Sequence, residues 1–181
     1  MSADPRFRDE LVAALPSLRA FAFSMIKDWE KADDLVQEAI TRAWANQHRF
    51  EPGTNMMAWL FTIVRNTFYS HHRRRSREVE DPNGDYAKTL KTHPDQQSHI
   101  DFEDMRAALQ RIPADQREAL LLIAAEGFSY EEAAEIMGVA VGTVKSRVNR
   151  ARGRLAALLA VETDGDVGPD PIVKAVLAGP A

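Results

Sequence analysis

Apolar residues recur every three to four positions over three long stretches in the first half of the chain, from about Arg8 to Lys27, Glu30 to Gln47 and Met56 to Arg77. That spacing predicts helices, each with one buried stripe. The alternation expected of strands is nearly absent. Between Glu78 and His99 the rhythm stops, and Pro82, Asn83, Gly84 and Pro94 mark a flexible linker. Helical spacing resumes over Ile100 to Arg111. Pro113 suits the first turn of a further helix, with Asp115 near its positive end, and REALLLIAAE carries that helix towards Gly127. After Leu159 the chain turns to Gly, Asp and Pro, with a brief apolar patch at Ile172 to Leu177. The pattern predicts an all-α protein of two small helical domains, 1–77 and 100–160, joined by a flexible linker over 78–99 and followed by a tail over 161–181.

The stretch SYEEAAEIMGVAVGTVKSRVNRARGR, Ser129 to Arg154, reads as two short helices joined at a glycine. Ser129 followed by Glu132 is a capping box. Ala133 and Ala134 are small enough for a second helix to cross closely, and Ile136 and Met137 supply a shared core. Gly138 can take the left-handed conformation that ends a helix. In the second helix Val144 and Val148, four apart, face inward. Thr143, Lys145, Ser146, Arg147, Asn149 and Arg150 then face outward. The hydroxyls and the amide can meet base edges or phosphates, and the arginines can fork onto guanine or phosphate. A solvated basic helix in a bundle would also carry arginines. Capping box, small pair, glycine and basic helix in that order point instead to a duplex-reading helix-turn-helix in the C-terminal domain.

Composition narrows the classes. The chain has 181 residues, 45% of them hydrophobic and 28% charged, as in globular proteins. No apolar run approaches the roughly 18 residues of a membrane span, so no membrane insertion is expected. The N-terminal MSADPRFRDELVAAL lacks a basic-then-apolar signal, and with no cysteine in the chain a cytoplasmic location is expected. The same absence excludes thiolate chemistry and cysteine-based zinc sites. His71 and His72 are adjacent and point about 100° apart on a helix, a poor chelate. No catalytic motif, metal spacing or cofactor-binding loop stands out, so neither an enzyme nor a cofactor is expected. The net charge of −4 is unevenly spread. Basic residues gather in Arg65 to Arg77 and Lys145 to Arg154, apart from the acidic stretches, which suits a protein with two kinds of partner.

Two further segments carry candidate chemistry. In DWEKADDLVQEAITRAWANQ, residues 28–47, Val36, Ile40, Ala43 and Trp44 share a face, with Leu35 and Ala39 at its edge. Asp34 with Glu38 and Asp33 with Gln37 form adjoining rows, either an ordinary solvated face or a patch for a basic partner. Residues 48–78 run from a Pro-Gly loop into a helix holding Trp59, Phe61, Phe68 and Tyr69, which ends in Arg73, Arg74, Arg75 and Arg77. Rings beside cations suit single-stranded nucleic acid, each stacked base contributing about 1–3 kcal/mol. A polar loop at Gly53, Thr54 and Asn55 could receive an unstacked base. Trp59, Leu60, Ile63 and Val64 read mostly as core, and the arginine run carries the stronger functional signal.

Taken together, DDLVQEAITRAW, FEPGTNMMAWLFTIVRN and VGTVKSRVNRAR resemble, in order, the motifs of bacterial alternative sigma factors of the extracytoplasmic-function group, most closely the alphaproteobacterial general-stress (EcfG-type) subgroup. The resemblance spans about residues 8–160. It implies that Asp33, Asp34, Gln37 and Glu38 face the β′ clamp helices of core RNA polymerase. It implies that the loop at Asn55 holds a flipped base of the promoter −10 element, and that the helix bearing Trp59, Arg65, Asn66, Tyr69, Arg73 and Arg74 follows the opened strand. The helix-turn-helix residues Thr143, Lys145, Ser146, Arg147, Asn149 and Arg150 would read the −35 element. An anti-sigma protein of NepR type would be a further partner. Two rivals are a helix-turn-helix regulator working without polymerase, which has no need of the Asp33–Trp44 helix, and a sigma-mimicking protein that sequesters an anti-sigma factor. The lack of a receiver domain and the basic residues in both DNA segments favour a true sigma factor.

Overall fold

A computed structural model describes residues 5–78 and 102–159, and every regular element among them is a helix. The expectations of a linker over 78–99, apart from Glu78, and of a tail over 161–181 lie outside the described residues. The first half holds α1 (Pro5–Ile26), α2 (Trp29–Ala45), a short 3-10 turn (Gln47–Arg49) and α3 (Met56–Glu78). The second holds α4 (Phe102–Arg111), α5 (Ala114–Ala124), α6 (Tyr130–Met137) and α7 (Val141–Leu158).

The three long helices follow the apolar rhythm. α1 buries Phe7, Leu11, Ala14, Leu18 and Phe21, an alternation of four- and three-residue steps that keeps one stripe inward. Pro16 lies inside this helix but on its exposed side. A sharp turn follows, with Lys27 at φ 64° and Asp28 capping α2 through bonds accepted from the Glu30 and Lys31 amides. The inward face of α2 differs from the expected one: Ala32, Leu35, Val36, Ala39 and Ala43 are buried, whereas Ile40 is half-buried and Trp44 is 41% exposed. The steps 32, 35, 36, 39 and 43 follow the helical period, which places Leu35 and Ala39 at the centre of the stripe and Trp44 at its edge. α3 buries Met56, Leu60, Phe61 and Val64, and the buried Thr67 hydroxyl donates back to the Ile63 carbonyl at 2.8 Å.

In the second half Pro113 is the N-cap of α5 rather than its first helical residue. Its carbonyl accepts from the Gln116 and Arg117 amides. Arg117 is buried, and its guanidinium donates to the Leu109, Gln110 and Ile112 carbonyls, closing the C-terminal end of α4. The helix-turn-helix forms as its sequence requires. Ser129 and Glu132 exchange both capping-box bonds, and Gly138 sits at φ 65°, ending α6. Val144, Val148, Ala151 and Leu155 bury one stripe of α7 against α5 and α6.

The two halves pack against each other, α3 on α6 and α1 on α5. Phe61 meets Phe128 edge-on at 5.3 Å between ring centroids, and Phe21 lies 4.8 Å from Phe61. One apolar seam therefore runs from α1 through α3 into the loop ahead of α6.

Candidate nucleic-acid and polymerase interface

Three charged faces carry the candidate residues. On α2 the four acidic or amide positions divide. Asp33 receives two bonds from the Arg19 guanidinium of α1, at 2.6 and 2.7 Å. This pairing raises the Arg19 pKa, first through the hydrogen bond and then through Asp33's charge. Glu38 holds Arg42 one turn on at 2.5 Å and His71 of α3 at 2.8 Å. Asp34 and Gln37 stand exposed between them. The face thus combines two anchored carboxylates with two groups open to a basic partner.

On α3, Asn55 is the residue before the helix and serves as its cap, its side-chain oxygen accepting from the Ala58 amide at 3.2 Å. Its amide nitrogen donates to Glu132 at 2.8 Å, across to the helix-turn-helix. One Glu132 carboxylate oxygen therefore holds Asn55 while the other accepts from the Ser129 amide. These bonds, the Ser129 backbone first and Asn55 next, lower the Glu132 pKa. Trp59 is half-buried in an aromatic cluster with Phe50 at 5.4 Å and Phe7 at 6.1 Å. That is the packing role its spacing left open.

Arg65 pairs with Glu118 of α5, a carboxylate only 1% exposed, and lies over the Tyr69 ring at 4.6 Å. The Tyr69 hydroxyl donates to the other Glu118 oxygen at 3.1 Å. Burial pushes the Glu118 carboxyl up, opposed by Arg65 and then Tyr69. Burial and the Glu118 charge likewise push the Tyr69 phenol up. Asn66, Arg73 and Arg74 are exposed further along α3, with Arg73 reaching Ser70 at 3.4 Å. No metal-binding group of His, Cys, Asp and Glu occurs among the described residues.

On α7, Lys145, Asn149 and Arg150 are exposed and Thr143, Ser146 and Arg147 half-buried. The Ser146 hydroxyl donates to the Thr143 carbonyl at 2.9 Å, and Lys145 lies 5.6 Å from the Tyr130 ring. Arg147 pairs with Asp115 of α5 at 3.1 Å. The outward row predicted for the second helix is therefore fully exposed only at Lys145, Asn149 and Arg150, and Arg147 is braced on Asp115.

Sequence reasoning missed the groups that join the halves. Glu118 sits inside the apolar run REALLLIAAE, where a lone carboxylate in a buried stripe was a signal that it needs a cation. Lys27, whose ammonium donates to the Gln110 carbonyl at 2.9 Å, left a trace only as a non-glycine residue at a tight turn. Burial, and then the charge of Arg117, lower its pKa.

Known proteins resemble this chain along most of its length. The Sigma-70 region 2 family matches residues 11–78, and the Sigma-70, region 4 family matches residues 102–155. The chain is 60% identical over 172 residues to the ECF RNA polymerase sigma factor EcfG of Rhodopseudomonas palustris, covering 95% of each chain. It is 34% identical over 141 residues to the ECF RNA polymerase sigma factor SigM of Bacillus subtilis, 76% of this chain and 85% of that one. A solved structure of the sigma factor RpoE in complex with the anti-sigma factor NepR, from Bartonella quintana, is 52% identical with a TM-score of 0.76, covering 88% of this chain and 100% of that chain. Two sigma-70 regions in order on a helical chain, with identity extending along almost its full length, place it among the ECF RNA polymerase sigma factors.

Proposed function

We propose that the protein directs core RNA polymerase to promoters bearing −10 and −35 elements in the general stress response, under the control of an anti-sigma protein of NepR type. The observation that carries this reading is the pairing, on one chain, of the exposed Asp34 and Gln37 face of α2 with the basic outer row of α7. A duplex-binding regulator needs only the second. Residues 1–77 bind the polymerase through Asp33, Asp34, Gln37 and Glu38 and open the −10 element through α3. Residues 100–160 read the −35 element, with Lys145, Asn149 and Arg150 best placed to reach DNA. The protein forms no bonds itself: base capture and polymerase contacts offset the unstacking of the DNA, and nucleotide addition belongs to the polymerase. Its place of work is the cytoplasm, where polymerase and promoter are. The 52% identity to a sigma factor solved with NepR supports a similar partner here.

Gel filtration of the full chain with core polymerase tests the α2 assignment. Co-elution is expected for the wild type. Asp34→Arg, which reverses an exposed charge without touching the core, is expected to elute apart from polymerase with its helix content intact. Co-elution of both proteins with equal affinity would remove the α2 face from the interface.

A further inference from the structure

A cavity lies in the C-terminal half where the described residues end. Asp104, Ala107, Ala108 and Arg111 of α4, with Leu158 and Leu159 at the end of α7, enclose about 250 Å³. An apolar cavity of about 150 Å³ takes one benzene ring, so this one has room for two aliphatic side chains. Its floor is apolar: Ala108 is buried and the two leucines are half-buried. Ala107 is exposed, and the exposed Asp104 and Arg111 set one charge of each sign towards opposite ends of α4. No candidate DNA or polymerase residue is among the six that line it.

Beyond Leu159 the sequence holds a segment of matching character. Asp170-Pro171 and Gly179-Pro180 are the start and stop signals of a short helix: Asp suits the N-cap, Pro the first helical position, and Gly followed by Pro the end. Wound as a helix, residues 171–178 set Ile172, Val173, Val176 and Leu177 along one face and Lys174, Ala175 and Ala178 along the other. A helix this short is not stable alone in water, so its apolar face needs a cover. Residues 160–171 can extend by about 3.3–3.6 Å each, ample to turn back onto a cavity that Leu159 itself lines. Laid antiparallel to α4, the segment brings Asp170 to Arg111 and Lys174 towards Asp104, matching both charges.

We propose that the cavity between α4 and the end of α7 is the docking site of the chain's own segment 171–178, with Ile172 and Val176 filling it. The tail then clasps α4 to α7. This role is independent of the DNA and polymerase assignments.

Paramagnetic broadening on the isotope-labelled full chain tests it. The chain has no cysteine, so Ala178→Cys gives one nitroxide site, on the face turned from the cavity. The oxidised label is expected to erase the amide signals of Asp104 to Ala108, and its reduction to restore them. Two variants carry the same label: Ile172→Asp with Val176→Asp, which spoils the apolar face, and Ala107→Trp, which fills the cavity from an exposed position. Both are expected to keep these signals under the oxidised label, and their reduced spectra check the fold. Signals that survive in the parent overturn the docking. A loss that persists in either variant is chance proximity of the tail and overturns it as well. Isotope-labelled chain without nitroxide, mixed with spin-labelled chain without isotope, is expected to keep its signals. A loss there means that a second copy supplies the segment, and overturns the intramolecular site.

Discussion

Phe128 offers the sharpest test of how the two halves share a core. Its side chain is 6% exposed, and it meets Phe61, which is fully buried, edge-on at 5.3 Å. Phe61 in turn contacts Phe21 of α1. Truncating Phe128 to alanine removes about 1.5–3 kcal/mol of apolar transfer energy and leaves a cavity that helices on two sides can only partly fill. Phe→Ala changes in cores cost about 3–5 kcal/mol on that account. The lower half of that range is expected here, because Phe128 lies in a loop that can settle inwards. Urea unfolding followed by circular dichroism measures the loss. A cycle of Phe61→Leu, Phe128→Leu and the double variant isolates the ring contact with less risk of unfolding, and an edge-on pair should couple by about 0.5–1.5 kcal/mol. A loss under about 1 kcal/mol for Phe128→Ala, or a cycle with no coupling, would refute a seam shared by the two halves.

Gly138 holds φ 65° with open space where a Cβ would stand, so Gly138→Ala should cost about 1–2 kcal/mol from backbone strain alone, and Gly138→Asn less; equal stability by thermal melting would contradict this. Burial raises the Glu118 pKa, so its contribution favours the fold at acid pH and is lost as pH rises through that raised value. Glu132, lowered by the Ser129 amide and Asn55, contributes above the ordinary glutamate value of about 4.3 and loses its contribution as pH falls through the lowered value. Carboxyl-carbon NMR titration should place the two on opposite sides of that value, and Glu118→Gln should delete the upper step. Arg150→Ala, which changes an exposed residue on α7, should weaken promoter-duplex binding by about 1–3 kcal/mol if it meets a base. A phosphate contact would instead weaken promoter and scrambled duplexes alike and flatten the salt dependence.

Much of this was legible because it is local. The three- to four-residue apolar rhythm predicts α1, α2 and α3 to within a few residues. The Ser129–Glu132 box and Gly138 mark α6 in the sequence itself, because capping and left-handed turns depend on residues three or four apart. The inward row of α2 is displaced because Leu35 and Ala39, expected at its edge, form its centre together with Ala32, a small residue the apolar pattern does not bring out, while the large Trp44 turns outward. The candidate faces were legible as charge, but their pairings were not. Arg19 with Asp33 spans two helices, and Arg65 with Glu118 spans the two halves. Such contacts follow from tertiary docking, on which helical periodicity carries no information. Asn55 shows this most plainly: the sequence reads it as one polar group of a loop that could receive a base, and tertiary docking also makes it the cap of α3 and the partner of Glu132.

Run-off transcription with purified core polymerase most directly tests the central claim that this chain gives polymerase its choice of promoter. The template carries −10 and −35 elements at their natural spacing, and matched controls scramble each element in turn. The account predicts a defined transcript only when protein, polymerase and both elements are present, with the −35 scramble and Arg150→Ala producing similar losses. A transcript of equal yield from the scrambled templates, or none from the intact template when the protein co-elutes with polymerase, would contradict it.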